Sequence, residues 1–272
     1  MKIILVPTDF SDNAYKAISY ACHMALKYKA KIILMNSFEI PASSSKVMIN
    51  FTDVLEEDSI KGLDKELEKI RQDDTFKSVE IELLSSFGSI TDAINKAERA
   101  YDIDLIVMGT AGASNISSRL FGSNTTNAIK NAKQPILVIP KESAYSEWKK
   151  ITFASNVQNS HNDCPFKPLK ELMTLSQSSL HILSVVEDSK SLNKQKIEDR
   201  IAAKLQGVDY EVNIVENKNI SDGILDFIHA HETDLLVLIK KNYGFIEGLL
   251  HTSVTRQLAL HSDKPILLYS EC

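Results

Sequence analysis

Residues 104–126 hold the part of this chain best suited to chemistry on a phosphate. The run Leu105-Ile106-Val107-Met108 is unbroken and apolar, as expected of a strand buried on both faces of a parallel sheet. Gly109 and Gly112 follow in a loop of small residues, and Gly122-Ser123-Asn124-Thr125 then opens a helix expected to end near Ala132. A strand, a glycine-punctuated loop and a helix start together make an anion cradle. The glycines let backbone N–H groups approach closely, and the helix start adds unpaired donors and the positive end of its dipole. Ser123 read on its own would be a helix cap, and three glycines on their own would only shape a loop.

The spacing is Gly, two residues, Gly, nine residues, Gly, then Ser-Asn. A dinucleotide fingerprint has its glycines much closer together, and a Walker loop would carry a Lys after the last Gly. The spacing matches the ATP-binding signature of the universal stress protein family, and on these residues the chain resembles that family. The resemblance implies an adenine nucleotide site. Pro7, Thr8 and Asp9 at the first turn and Ser37 at the end of strand 2 would lie at the base and ribose. Met108, Gly109 and Gly112 would line the ribose and phosphate path. Gly122, Ser123, Asn124 and Thr125 would hold the phosphates, and Mg²⁺ would ride on those phosphates. The chemistry agrees, since a carboxylate accepts from ribose hydroxyls while hydroxyls and helix-start N–H groups suit phosphate oxygens.

These residues need a scaffold, and the hydrophobic pattern supplies one. Strands are expected over 3–6, 31–38, 79–85, 104–108 and 136–139, separated by helical patterns. The first helix follows Asp9 or Ser11 as its cap and carries Ala14, Ala17, Ile18, Ala21, Cys22, Ala25 and Leu26 on one face. A polar loop over 41–50 precedes a charged helix over 52–72, whose expected buried stripe is Leu55, Ile60, Leu63, Leu67 and Ile70. Strict alternation of strand and helix calls for a doubly wound parallel sheet with helices on both faces. Ligands sit at the carboxyl ends of strands in such sheets, where Asp9 and Gly109 both fall.

Residues 143–150 read as a polar linker, after which the pattern restarts. Strands are expected over 151–154, 180–186, 210–215, 235–239 and 266–269, and helices over 166–177, 192–205, 221–231 and 253–261. A fixed shift of 130 brings Asp104-Leu105-Ile106-Val107 onto Asp234-Leu235-Leu236-Val237, and Pro135-Ile136-Leu137 onto Pro265-Ile266-Leu267. The chain is therefore expected to be two five-stranded α/β domains in tandem, over 1–142 and 151–272. The family resemblance covers nearly the whole chain. It implies the universal stress protein fold, related to that of adenine nucleotide alpha hydrolases. It also implies pairing through the last strands, as an intrachain pseudo-dimer or a homodimer.

The second domain has lost the cradle. At the same shift Gly109 becomes Ile239, Gly112 becomes Asn242 and Gly122 becomes Thr252. At the turn after each domain's first strand, Asp9 is replaced by Asn156. β-Branched residues there would block close approach and disfavour φ > 0. Only Ser253, opposite Ser123, is kept. His251, Arg256 and His261 have no acid partner or ligand spacing and read as surface residues. The second domain is expected to be structural or regulatory.

Thirty-one basic and 36 acidic residues leave a net charge of −5, which argues against nucleic acid or an anionic membrane as partner. Cys22, Cys164 and Cys272 are scattered and read as reduced thiols in a cytoplasm. The amino-terminal apolar run is too short for a signal peptide or a membrane span. Arg119 is the single cation between Gly109 and Thr126, and no general base is evident. A nucleotide-binding module with slow or no turnover is therefore expected ahead of an ATP-cleaving enzyme or a nucleotide-free scaffold.

Overall fold

A computed structural model of the chain describes residues 1–40, 48–110, 122–155, 166–189, 194–240, 258 and 262–270. The chain divides into two compact units, Met1–Tyr145 and Ser146–Cys272.

The first unit runs β1 (Ile3–Pro7), α1 (Asp12–Tyr28), β2 (Lys31–Phe38), α2 (Met48–Gln72), β3 (Ile81–Phe87), α3 (Ile90–Ala100), β4 (Leu105–Gly109), α4 (Ser123–Asn131) and β5 (Ile136–Ile139). The strands are parallel in the order β3-β2-β1-β4-β5. From β1 the chain steps outward to β2 and β3, then returns to the other side of β1 as β4. That reversal opens a crevice over the carboxyl ends of β1 and β4. The central strands are buried on both faces, as their apolar runs require: Ile4, Leu5 and Val6 are fully buried, as are Ile106 and Val107. Alanines 14, 17, 21 and 25 let α1 lie close to the sheet, and its far end closes with Lys29 in the left-handed region.

The second unit runs β6 (Lys150–Ala154), α5 (Phe166–Ser176), β7 (Ser179–Val186), α6 (Lys194–Ala202), β8 (Tyr210–Glu216), α7 (Ile220–Ala230), β9 (Leu235–Lys240) and β10 (Ile266–Ser270). Its parallel order, β8-β7-β6-β9-β10, repeats that of the first unit. Two doubly wound α/β units in tandem are thus present. The helix expected over 253–261 falls almost wholly outside the described residues.

Three local expectations are corrected. Residues 48–50, assigned to a loop, already belong to α2. The inner stripe of α2 is rotated: Leu63 and Ile70 are buried, but Ile60 is exposed, and Ser59 and Glu66 take the inward positions. The spacing 59, 63, 66, 70 keeps one face of a helix, and Ser59 is accommodated because its Oγ accepts from Ser85 Oγ at 2.8 Å. The third concerns 143–150, which is no free tether. Tyr145 stacks on His23 of α1, with centroids 4.5 Å apart, and Trp148 is buried.

Candidate functional site

Four chain segments of the first unit meet at the crevice. The first is the turn after β1. Thr8 N donates to Met35 O at 2.8 Å, which ties the turn to β2. Thr8 Oγ1 accepts from Phe10 N at 3.0 Å. Asp9 Oδ1 accepts from Ser11 N at 3.2 Å and Ser11 Oγ at 2.6 Å, and Ser11 Oγ in turn accepts from Ala14 N at 3.2 Å. Ser11, not Asp9, is therefore the N-cap of α1, and Asp9 buttresses that cap. Phe10 adopts φ 63°, which is strained for a residue with a side chain. Its ring lies where a Cβ on Gly62 of α2 would stand, at 2.4–2.9 Å, so Gly62 leaves room for the ring over the turn.

The second segment is the end of β2. Asn36 is buried, and its Nδ2 donates to Thr8 O at 2.7 Å. Ser37 follows. The third is the end of β4, Met108 and Gly109, and the fourth is the start of α4. Gly122 is the N-cap residue, its N–H donating to Thr110 O at 2.9 Å, and the first intrahelical bond runs from Thr126 N to Gly122 O at 3.0 Å. The N–H groups of Ser123, Asn124 and Thr125 therefore have no partner within the helix, and they carry the positive end of its dipole. Thr125 is buried and its Oγ1 donates to Gly109 O at 2.9 Å, bracing α4 against β4. Toward an anion, Thr125 thus offers its backbone N–H and not its hydroxyl proton.

Together these segments enclose a recess of about 620 Å³, part of it open to solvent. Ten of the residues expected at a site line it: Pro7, Thr8, Asp9, Ser37, Met108, Gly109, Gly122, Ser123, Asn124 and Thr125. Gly112 lies outside the described residues, as does Arg119. Asn36, Ala14 and Ile90 also line the recess and were not anticipated. For Asn36 a signal was present: one amide directly after the apolar run Ile32-Ile33-Leu34-Met35. Among the described lining residues Asp9 carries the only formal charge.

Gly122 has φ −58°, and among the described residues the glycines with positive φ are Gly88 and Gly207. Backbone torsion therefore does not require glycine at 109 or 122. Space does at 109, where a Cβ would stand 2.7 Å from Asn13 Nδ2 and 2.9 Å from Asn13 O. Gly109 is what lets the start of α1 approach β4.

Other chemistry finds no support among the described residues. No group of three or more His, Cys, Asp or Glu residues is placed to hold a metal ion. Burial pushes the Cys22 thiol up to about 12, which removes it from thiolate chemistry. No described helix is long and apolar enough to cross a membrane.

Residues 1–140 and 164–270 both match the universal stress protein family. Universal stress protein MJ0531 of Methanocaldococcus jannaschii is 30% identical over 146 residues, which cover 52% of this chain and 82% of that protein. Universal stress protein Slr1230 of Synechocystis sp. is 23% identical over 293 residues, covering 99% of this chain and all of that protein. The crystal structure of a universal stress protein from Archaeoglobus fulgidus is similar in fold, with a TM-score of 0.75 at 17% identity over 98% of both chains.

Proposed function

The chain belongs to the universal stress protein family, and from that premise we propose that its first unit is an adenine nucleotide-binding module. ATP carrying Mg²⁺ is the ligand, turnover is slow or absent, and the second unit is structural or regulatory. The observation that carries this reading is the start of α4. Its first residues, whose N–H groups have no partner within the helix, line the same recess as Asp9 and the end of β2, across the point where strand order reverses. Phosphates suit the helix start, and ribose hydroxyls suit Asp9. A triphosphate entering a recess whose described lining holds no cation would bring its counter-ion with it, which is the reason for assigning Mg²⁺ to the phosphates.

The same lining argues for slow turnover. Efficient phosphoryl transfer needs positioned cations and an oriented nucleophile, and the described lining offers Asp9 and hydroxyls only. The second unit carries Ile239 at the end of β9, where the first has Gly109. A single nucleotide per chain is therefore expected.

Calorimetric titration of Mg·ATP into the full chain, beside Gly122→Val, tests the reading. Since φ at 122 is ordinary, valine there closes space at the mouth of α4 without demanding a forbidden torsion. Saturable binding with a stoichiometry near one, lost in a variant that still melts cooperatively, is the expected result. Absence of both heat and thermal shift in wild-type protein shown free of copurified nucleotide would overturn it.

A further inference from the structure

We propose that Asn36 is the specificity-determining residue of this recess, its Oδ1 accepting a hydrogen bond from the exocyclic amino group of a 6-aminopurine. The inference rests on the nucleotide reading above and adds to it the group that reads the base.

The phosphate pole is set by the start of α4, beside the end of β4. In the order β3-β2-β1-β4-β5, β1 lies between that pole and β2. A nucleotide extended across the turn after β1 therefore brings its base to the end of β2. There the recess is lined by Asn36 and Ser37, with Ile90, the first residue of α3, as an apolar wall.

Asn36 is 8% exposed. Its orientation follows from its neighbour: Thr8 O is a carbonyl and can only accept, so the amide must turn Nδ2 toward it, at 2.7 Å, and Oδ1 away. Among the described residues that is the only hydrogen bond the Asn36 side chain makes. Asn36 lines the recess, and its amide oxygen, turned from Thr8, is free to accept from a ligand donor there. The amino group of a 6-aminopurine supplies one. A 6-oxopurine would set a second carbonyl oxygen against Oδ1, and neither acceptor would be satisfied. The bond to Thr8 gives Asn36 its rigidity, because it fixes the amide plane before any ligand arrives.

The test compares Mg·ATP with Mg·ITP, purines of equal size that differ in the 6-substituent, on the full chain. Wild-type protein is expected to bind ATP about 10-fold more tightly than ITP, the effect of leaving one buried acceptor unpaired. Asn36→Ser should bring the two affinities within roughly threefold of each other, mainly by weakening ATP. Serine occupies the corresponding position, Ser184, in the folded sheet of the second unit, so the substitution suits this architecture. Thermal melting of the variant checks the fold. Equal wild-type affinities for ATP and ITP would overturn the inference while leaving the nucleotide site standing, as would a variant that keeps the ATP preference. Failure of wild-type protein to bind either nucleotide would overturn the nucleotide reading itself, and this inference with it.

Discussion

At the amino ends of their central strands the two units are built alike; at the carboxyl ends they are not. Asp104 Oδ2 accepts from Lys2 N at 2.6 Å and Ile3 N at 3.0 Å, pinning the start of β1 to β4. Asp234 Oδ2 accepts from Lys149 N at 2.8 Å and Lys150 N at 2.9 Å, pinning β6 to β9 in the same way. At the other end the backbone tie is still repeated, Thr8 N to Met35 O in one unit and Ser155 N to Leu183 O in the other. The side chains beyond it differ. Asn36 reaches Thr8 O, whereas Ser184, in the equivalent place, is buried with an Oγ that has no partner among the described residues. Gly109 is matched by Ile239. A parallel sheet must register its strands, so the carboxylate pins are needed wherever the fold is. No such register is set at the carboxyl ends, where Ile239 and Ser184 of the second unit stand in place of Gly109 and Asn36.

The largest effect expected from this contrast is at Gly109. Gly109→Ala drives a Cβ into Asn13 Nδ2 and O; the side chain can turn away, but the backbone O limits relief. A loss of about 1–3 kcal/mol in the stability of the first unit is expected, the usual range for overpacking, together with loss of Mg·ATP binding. Denaturant unfolding and calorimetry would measure the two. The reciprocal change, Ile239→Gly, should leave stoichiometry at one, because a single glycine does not rebuild the Asn36 and Asp9 network. A second equivalent of bound nucleotide in that variant would break the comparison.

The shared end gives a smaller and more symmetrical expectation. Asp104→Ala and Asp234→Ala each remove a carboxylate that accepts two backbone N–H groups near the surface, at about 1 kcal/mol apiece. Neither should change nucleotide affinity by more than about twofold. Unequal losses, with one variant near wild type, would show that the repeated aspartates do not do equal work.

Much of this architecture was legible in the residues. Buried strands such as Ile3–Pro7 and Leu105–Gly109 announce themselves by unbroken apolar runs, and the fixed shift of 130 exposes the repeat. The floor of the recess followed from glycine and hydroxyl spacing. What stayed hidden depends on three-dimensional approach. Gly109 reads as a phosphate glycine, yet it also makes room for Asn13 of α1, a close approach that sequence spacing does not reveal. The role of Asn36 depends on Thr8 O, which lies in the turn after β1 and is distant in sequence. Tyr145 reads as linker, and only the packing of α1 shows the His23 ring waiting for it. The stripe of α2 is hidden for a related reason: Ser59 and Glu66 are polar by type, and only the packed helix shows them turned inward.

Glu66 gives the smallest effect and the sharpest contrast between the covering helices. In α6 the inward positions are Ile197 and Ile201; in α2 a carboxyl stands inward beside Leu63 and Ile70, and its Oε2 has no partner among the described residues. Burial lifts the Glu66 carboxyl above the usual carboxylate range, Asp12 adding to the rise and Lys69 opposing it. The folded unit therefore holds this proton more tightly than the unfolded chain. The stability it contributes is fully present below the unfolded carboxyl value and is lost as pH rises through the folded one. Glutamine imitates the protonated carboxyl at every pH. Glu66→Gln is thus expected to stabilise the first unit near neutrality, seen as a rise in its melting midpoint. Below about pH 4, where Glu66 is protonated in both states, the gain should vanish. A variant less stable than wild type at neutral pH would mean that Glu66 is held there as a paired carboxylate, and that α2 is anchored by charge where α6 relies on hydrocarbon.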